Sequence, residues 1–155
     1  MEPRLGLTKQ ALKEVEKGLG DLLANTYALY LKTQNFHWNL KGSDFFSLHL
    51  LFEKQYDELA EAVDEIAERI QSIGFHVDGS FSGFKKRSSI KEPGKGLTEK
   101  KMIQELLEGH EAISREMRPL IPQFQGVYDE ASADLLIKRL GIHEKAAWLL
   151  RSHLE

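Results

Sequence analysis

Cysteine is absent from this 155-residue chain. That excludes a disulfide framework and any thiolate-held zinc or iron–sulfur centre, and it fits a reducing cytoplasmic setting. No apolar run approaches the roughly 20 residues that cross a bilayer, and Met1-Glu2-Pro3-Arg4-Leu5-Gly6-Leu7 lacks the pattern of a signal peptide. A soluble protein with no membrane contact, retained in the cytoplasm, is expected. Excess positive charge is also missing: the formal net charge is −3, so nothing draws the whole molecule to nucleic acid, whose binding rests on Lys and Arg against phosphates. Any DNA contact needs a local basic patch. The length suits one domain over residues 1–155 with a core large enough to need no staples.

What is present is helical periodicity. From Thr8 to Leu40, the residues Leu12, Val15, Leu19, Leu22, Leu23, Tyr27, Tyr30, Leu31 and Phe36 follow helical spacing, and Thr8 is placed to cap the start. Gly18 and Gly20 each cost such a helix about 1 kcal/mol relative to Ala, so close packing is expected against them. After Lys41-Gly42-Ser43, either Ser43 or Asp44 can cap a second helix over residues 44–73. Phe46, Leu50, Phe52, Tyr56, Leu59, Val63, Ile66 and Ile70 are its expected buried side, and Gly74 its stop. Residues 75–97 hold Gly79, Ser80, Ser82, Gly83, the basic run Lys85-Lys86-Arg87, Pro93-Gly94 and Gly96, which read as a long connection. Thr98 caps a third helix to about residue 124, with Pro119 and Pro122 kinking or ending its last turns. Asp129 caps a fourth, to about residue 153.

Short connections force antiparallel neighbours, whereas a long one lets the chain cross the bundle. Four helices joined by short, long and short links therefore predict an all-α, ferritin-like four-helix bundle with one crossover between the second and third helices. At 23 residues the crossover can span up to about 76 Å, which leaves room for a short helix within it.

The chemistry-bearing residues gather around the first link. His37 and Trp38 close the first helix, and His49, Glu53, Asp64 and Glu68 follow on the second. The last four have offsets of 0, 4, 15 and 19, which project to roughly 0°, 40°, 60° and 100° around a helix. All four share one stripe. His49 and Asp64 are nevertheless roughly 22 Å apart along the axis, while ligands sit about 2 Å from their metal. Either the stripe is a charged surface, or another chain supplies the missing ligands. Intrachain di-iron bundles carry a Glu-x-x-His motif on two helices, and this sequence has none. The open alternative is a site shared across a two-fold axis, with His37, His49 and Glu53 of one chain meeting Asp64 and Glu68 of the other. Imidazoles with carboxylates suit Fe(II), with Mn, Co and Zn as competitors.

The segments His37-Trp38-Asn39-x-x-Gly42, Phe46-x-x-His49-x-x-x-Glu53-x-x-Tyr56 and Asp64-x-x-Ala67-Glu68-Arg69-Ile70, with His143-Glu144-Lys145-x-x-Trp148-x-Leu150-Arg151 near the end, resemble the Dps family. These are twelve-subunit mini-ferritins named for DNA protection in starved cells, and the resemblance runs over residues 8–154. It implies a hollow homo-dodecamer with ferroxidase centres at two-fold interfaces. There Fe2+ would be oxidised, by hydrogen peroxide in preference to dioxygen, and stored as Fe3+ mineral. His37, His49 and Glu53 would come from one subunit, Asp64 and Glu68 from its partner. Many members carry Asp where this chain has Glu53, so direct ligation or ligation through water both stay open there. Trp38 resembles the family's electron-donating Trp, and packing at the dimer interface is its other role. Asp129, Glu130 and Asp134 correspond to the region around three-fold pores, where carboxylates focus cations; helix capping is their ordinary role. His143 and His153 are expected to be structural.

DNA binding is expected to be weak or absent. The terminal segments lack the Lys- or Arg-rich tails of DNA-condensing members, and only Lys85, Lys86 and Arg87 form an exposed basic run. The alternative is a nucleoid-compacting protein that uses this loop instead of a tail.

Overall fold

The computed structural model describes residues 3–155. Its helices are α1 (Lys9–Asn39), α2 (Phe45–Ser72), α3 (Phe81–Arg87), α4 (Glu99–Met117), α5 (Leu120–Gly126) and α6 (Glu130–Arg151). α1 packs chiefly on α2 and α4 on α6, with α1 against α4 closing the bundle and α3 lying on α1 inside the crossover. The expected third helix is two. Arg118 keeps helical geometry and donates to Ser114 O, but Pro119 has no N–H to continue the ladder, so α5 starts afresh at Leu120.

Local chemistry explains the ends. The Thr8, Thr98 and Asp129 side chains accept from the amides of Ala11, Lys101 and Ser132, capping α1, α4 and α6. Asp44 holds the cap position of α2 without a side-chain bond, and Ser43 lies outside it. Instead the Asp44 amide donates to Glu99 Oε1 at 3.3 Å, tying the start of α2 to the start of α4. α2 ends where Gly74 takes φ +92°: Gly74 N–H donates to Gln71 O and Phe75 N–H to Ile70 O, the paired bonds of a Schellman stop.

Leu19, Leu29, Phe36, Phe52, Leu59, Ile66, Leu106, Ile113, Phe124, Leu136 and Leu150 form the centre of the core, and each such burial stabilises the fold by about 1.5–3 kcal/mol. The two glycines of α1 have the expected neighbours. A Cβ on Gly18 would stand 2.9 Å from the Phe124 ring, and one on Gly20 would collide with the Arg87 guanidinium. The α2 expectation needs correction at its first turns. Phe46 is 76% and Leu50 47% exposed, while Leu48, Phe52, Gln55, Leu59, Ala62, Ile66 and Ile70 face the core. Periodicity finds an apolar residue but not which surface covers it. Phe46 and Leu50 lie within roughly 60° of Glu53 on the helix circumference, on the stripe that carries the carboxylates.

Candidate metal centre

The α1–α2 turn folds His37 onto His49. Their rings stack with centroids 3.7 Å apart and planes 17° from parallel. Each is held by the other's backbone: His37 Nδ1 donates to His49 O at 2.9 Å, and His49 Nδ1 donates to His37 O at 3.2 Å. A carbonyl oxygen only accepts, so in its neutral form each imidazole carries its proton on Nδ1 and leaves the Nε2 lone pair bare. That is the tautomer a metal requires, set by the backbone bonds that ligating histidines ordinarily make. Phe45 stacks on the outer side of His49 at 4.8 Å, and Tyr56 meets His37 edge-on at 5.1 Å. Desolvation raises the Tyr56 phenol above its ordinary pKa, and the charges of Glu53 and Asp57 add to it.

Glu53 is half-buried one turn beyond His49, while Asp64 and Glu68 are exposed farther along α2. Their position in the same helix keeps Asp64 roughly 22 Å along the axis from His49. Among the described residues no group of three or more His, Asp or Glu side chains converges. One chain thus presents two bare imidazole nitrogens and a nearby carboxylate at one end of α2, and two more carboxylates at the other. Trp38 projects outward beside the histidines and is 63% exposed.

The pore candidates divide. Asp129 is buried and serves the fold: Oδ1 accepts from Ser132 N–H at 3.0 Å and from Arg69 Nη2 at 2.7 Å, and Oδ2 accepts from the Ser132 hydroxyl at 2.6 Å. Only Glu130 and Asp134 are exposed there. Asp129→Ala is accordingly expected to cost about 1–2 kcal/mol through the lost cap alone. A lowered denaturation midpoint measures it, and Glu130→Ala should leave that midpoint nearly unmoved.

The basic run divides likewise. Arg87 donates to Asp21 Oδ1 and to Lys17 O, both at 3.0 Å, and pairs with Glu16. It pins α3 to α1. Lys85 and Lys86 remain exposed, Lys85 with Glu92 3.8 Å away.

A second pair of imidazoles lies in the bundle core, one of them unremarked in the sequence. His110 and His143 are buried with Nδ1 atoms 2.9 Å apart. His143 Nε2 accepts from Arg139 Nη2 at 3.3 Å, so its proton sits on Nδ1 and is donated to His110. Arg139 is itself buried and forks onto the carboxylate of Glu58. Burial drives His110 down to about 3, with Arg139 adding to the effect, and burial likewise drives His143 well below the usual imidazole range. The signal for His110 was its place in the α4 series Leu106, His110, Ile113, Met117, all buried and at helical spacing. His153 is exposed beyond α6.

A ferritin-like domain model matches residues 16–155. DNA protection during starvation protein 2 of Bacillus anthracis is 38% identical over 145 residues, covering 92% of this chain and 97% of that protein. The DNA protection during starvation protein of Porphyromonas gingivalis is 34% identical over 148 residues, covering 96% and 93%. Dps from Vibrio cholerae O1, described as a member of a broad superfamily of ferritin-like diiron-carboxylate proteins, superposes with a TM-score of 0.94 at 31% identity, covering 100% and 98% of the two chains. Dps from Staphylococcus aureus superposes at 0.90 with 34% identity, covering 96% and 98%. A bundle with one long crossover, a histidine pair at its first turn and relatives matched along almost their whole length have one consistent reading: the chain belongs to the Dps family of the ferritin-like superfamily.

Proposed function

We propose that the protein is an intersubunit ferroxidase that oxidises Fe(II) and stores the ferric product inside a homo-dodecameric shell. The observation that carries this reading is the backbone-locked histidine pair, which presents two Nε2 lone pairs and which no converging group among the described residues completes as a metal site. An isologous partner closes it by laying Asp64 and Glu68 of a second α2 against His37, His49 and Glu53. Phe46, Leu50 and Trp38 support this, because exposed apolar side chains grouped on one face mark a surface that is covered. Two Fe(II) ions held together give peroxide both its electrons at once, so it leaves as water and no hydroxyl radical escapes. Imidazole and carboxylate donors take Fe(II) readily, and Zn, Mn or Co compete for them. Peroxide is the preferred oxidant and dioxygen the slower one. Glu130 and Asp134 are the carboxylates that draw Fe(II) toward an entry pore, and the setting is the cytoplasm.

The test is hydrodynamic mass together with iron uptake. The particle should run at about twelve times 17.7 kDa and accumulate iron on addition of Fe(II) and peroxide. A particle of that size which leaves Fe(II) unoxidised would overturn the reading. DNA binding is the weaker role, since Arg87 is committed to α1 and two lysines per subunit remain. A mobility shift at about 150 mM salt should show no retardation, and retardation lost in Lys85→Glu/Lys86→Glu would restore the nucleoid role.

A further inference from the structure

From His37 a file of half-buried aromatic rings leads along α1 and α2 toward α3. Tyr56 on α2 meets His37 at 5.1 Å, Tyr30 on α1 meets Tyr56 at 6.2 Å, and Tyr27 meets Tyr30 at 5.6 Å. Tyr27 then stacks on Phe84 of α3 at 4.8 Å. Edge-to-face packing accounts for the rings, but phenylalanine would pack as well. Among the described residues none of the three hydroxyls makes a hydrogen bond to the protein. What distinguishes tyrosine from phenylalanine here is that a phenol gives up one electron and one proton together. Trp38 has no ring neighbour of this kind and points outward, so it stands apart from the file.

We propose that Tyr56, Tyr30 and Tyr27 form a radical relay that supplies the second electron to peroxide when only one Fe(II) occupies the histidine pair. This inference rests on the iron-oxidation reading of the same site. Fe(II) loses one electron. Tyr56 loses one electron and its phenolic proton, and a second proton comes from solvent. The O–O bond of peroxide breaks, and two waters and Fe(III) leave a neutral phenoxyl radical on Tyr56. Tyr30 then gives an electron to Tyr56, which takes up a proton from solvent while Tyr30 releases its own, and Tyr27 restores Tyr30 in the same way. The oxidising equivalent thus moves away from the iron. Its last station, Tyr27, borders an open cavity of about 470 Å³ walled by Leu31, Phe81, Phe84 and Lys85, where a soluble thiolate or enediol reductant can restore the phenol.

The experiment adds peroxide to assembled protein holding less than one Fe(II) per site and freezes it for electron paramagnetic resonance. A radical that narrows with ring-deuterated tyrosine is expected. Tyr56→Phe should reduce it several-fold and raise spin-trapped hydroxyl radical by a similar factor. Tyr30→Phe should leave the rate of Fe(II) oxidation unchanged and strand the radical on Tyr56, lengthening its lifetime several-fold. Oxidation of iron-free protein by a pulse of azide radicals, followed with a soluble thiol present, supplies a second readout, in which phenoxyl lifetime must lengthen in Tyr30→Phe. A radical that survives the Tyr56→Phe/Tyr30→Phe/Tyr27→Phe variant, or that responds to deuterated tryptophan, would overturn the relay while leaving iron oxidation intact. Failure of the wild type to oxidise Fe(II) at all would sink the site reading, and the relay with it.

Discussion

Replacing His37 by Ala, or Asp64 by Ala, is expected to slow the fast phase of Fe(II) oxidation by on the order of a hundredfold or more. Groups that merely orient a metal ligand already cost about 10–100-fold when removed, and these two are ligands in the account given above. The two substitutions should be equally damaging although the residues lie at opposite ends of the stripe on one chain, because each removes one side of the same shared site. Combining them should add little, since a site that has lost one essential donor has little left to lose. Neither change should dissolve the particle. Asp64 is exposed, and the loss of the His37 ring removes only its stacking on His49 and one hydrogen bond to His49 O at the end of the bundle. Stopped-flow absorbance with peroxide, on protein of verified mass, measures the effect. An unslowed fast phase in Asp64→Ala would remove the partner carboxylate from the site.

The second large effect is a loss of stability in mild acid. His110 and His143 are neutral in the fold because burial disfavours their charged forms. In the unfolded chain they titrate near the ordinary value of about 6.5. Below that value the unfolded state binds protons that the folded state refuses, so unfolding gains as pH falls. Stability is complete above about 6.5 and declines toward the folded value of about 3 for His110, each pH unit removing up to about 1.4 kcal/mol per imidazole. The interval from about 6.5 to 5 isolates this effect, because carboxylates titrate mainly below it. The urea midpoint should therefore fall between those pH values. In His110→Gln/His143→Gln it should start lower and change less. A midpoint in the wild type that stays flat across the interval would show that the imidazoles are not held neutral.

The helices were legible because their caps and stops are local: Thr8, Thr98, Asp129 and Gly74 each act within a few residues of their own position. Asp44 holds the expected cap position, but the tie of its amide to Glu99, 55 positions away, is one that no local rule can see. Phe46 and Leu50 belong to the same limitation. A hydrophobic stripe reports that something apolar will cover it, and here two different stripes of α2 are apolar at its start, one against the core and one on the carboxylate face. At the metal centre the donors could be read from spacing, and so could the deficit in any single chain. The crossed bonds from each Nδ1 to the opposite carbonyl could not, since they depend on how the Leu40–Asp44 turn sets α2 against α1. Arg87 was equally hidden. In sequence it belongs to a basic run, and only the docking of α3 on α1 turns it into a partner of Asp21.

The shared site is tested most directly by mixing. His37→Ala and Asp64→Ala chains are unfolded together, reassembled at equal amounts and assayed for Fe(II) oxidation. Wherever one kind of chain meets the other across the two-fold, one of the two sites receives both of its damaged halves and the other receives both intact halves. Random pairing then restores about a quarter of the wild-type sites from two inactive parents. Recovery of that activity is the predicted result. A mixture as inactive as its parents, in particles shown by mass to contain both chains, would contradict a site built from two subunits.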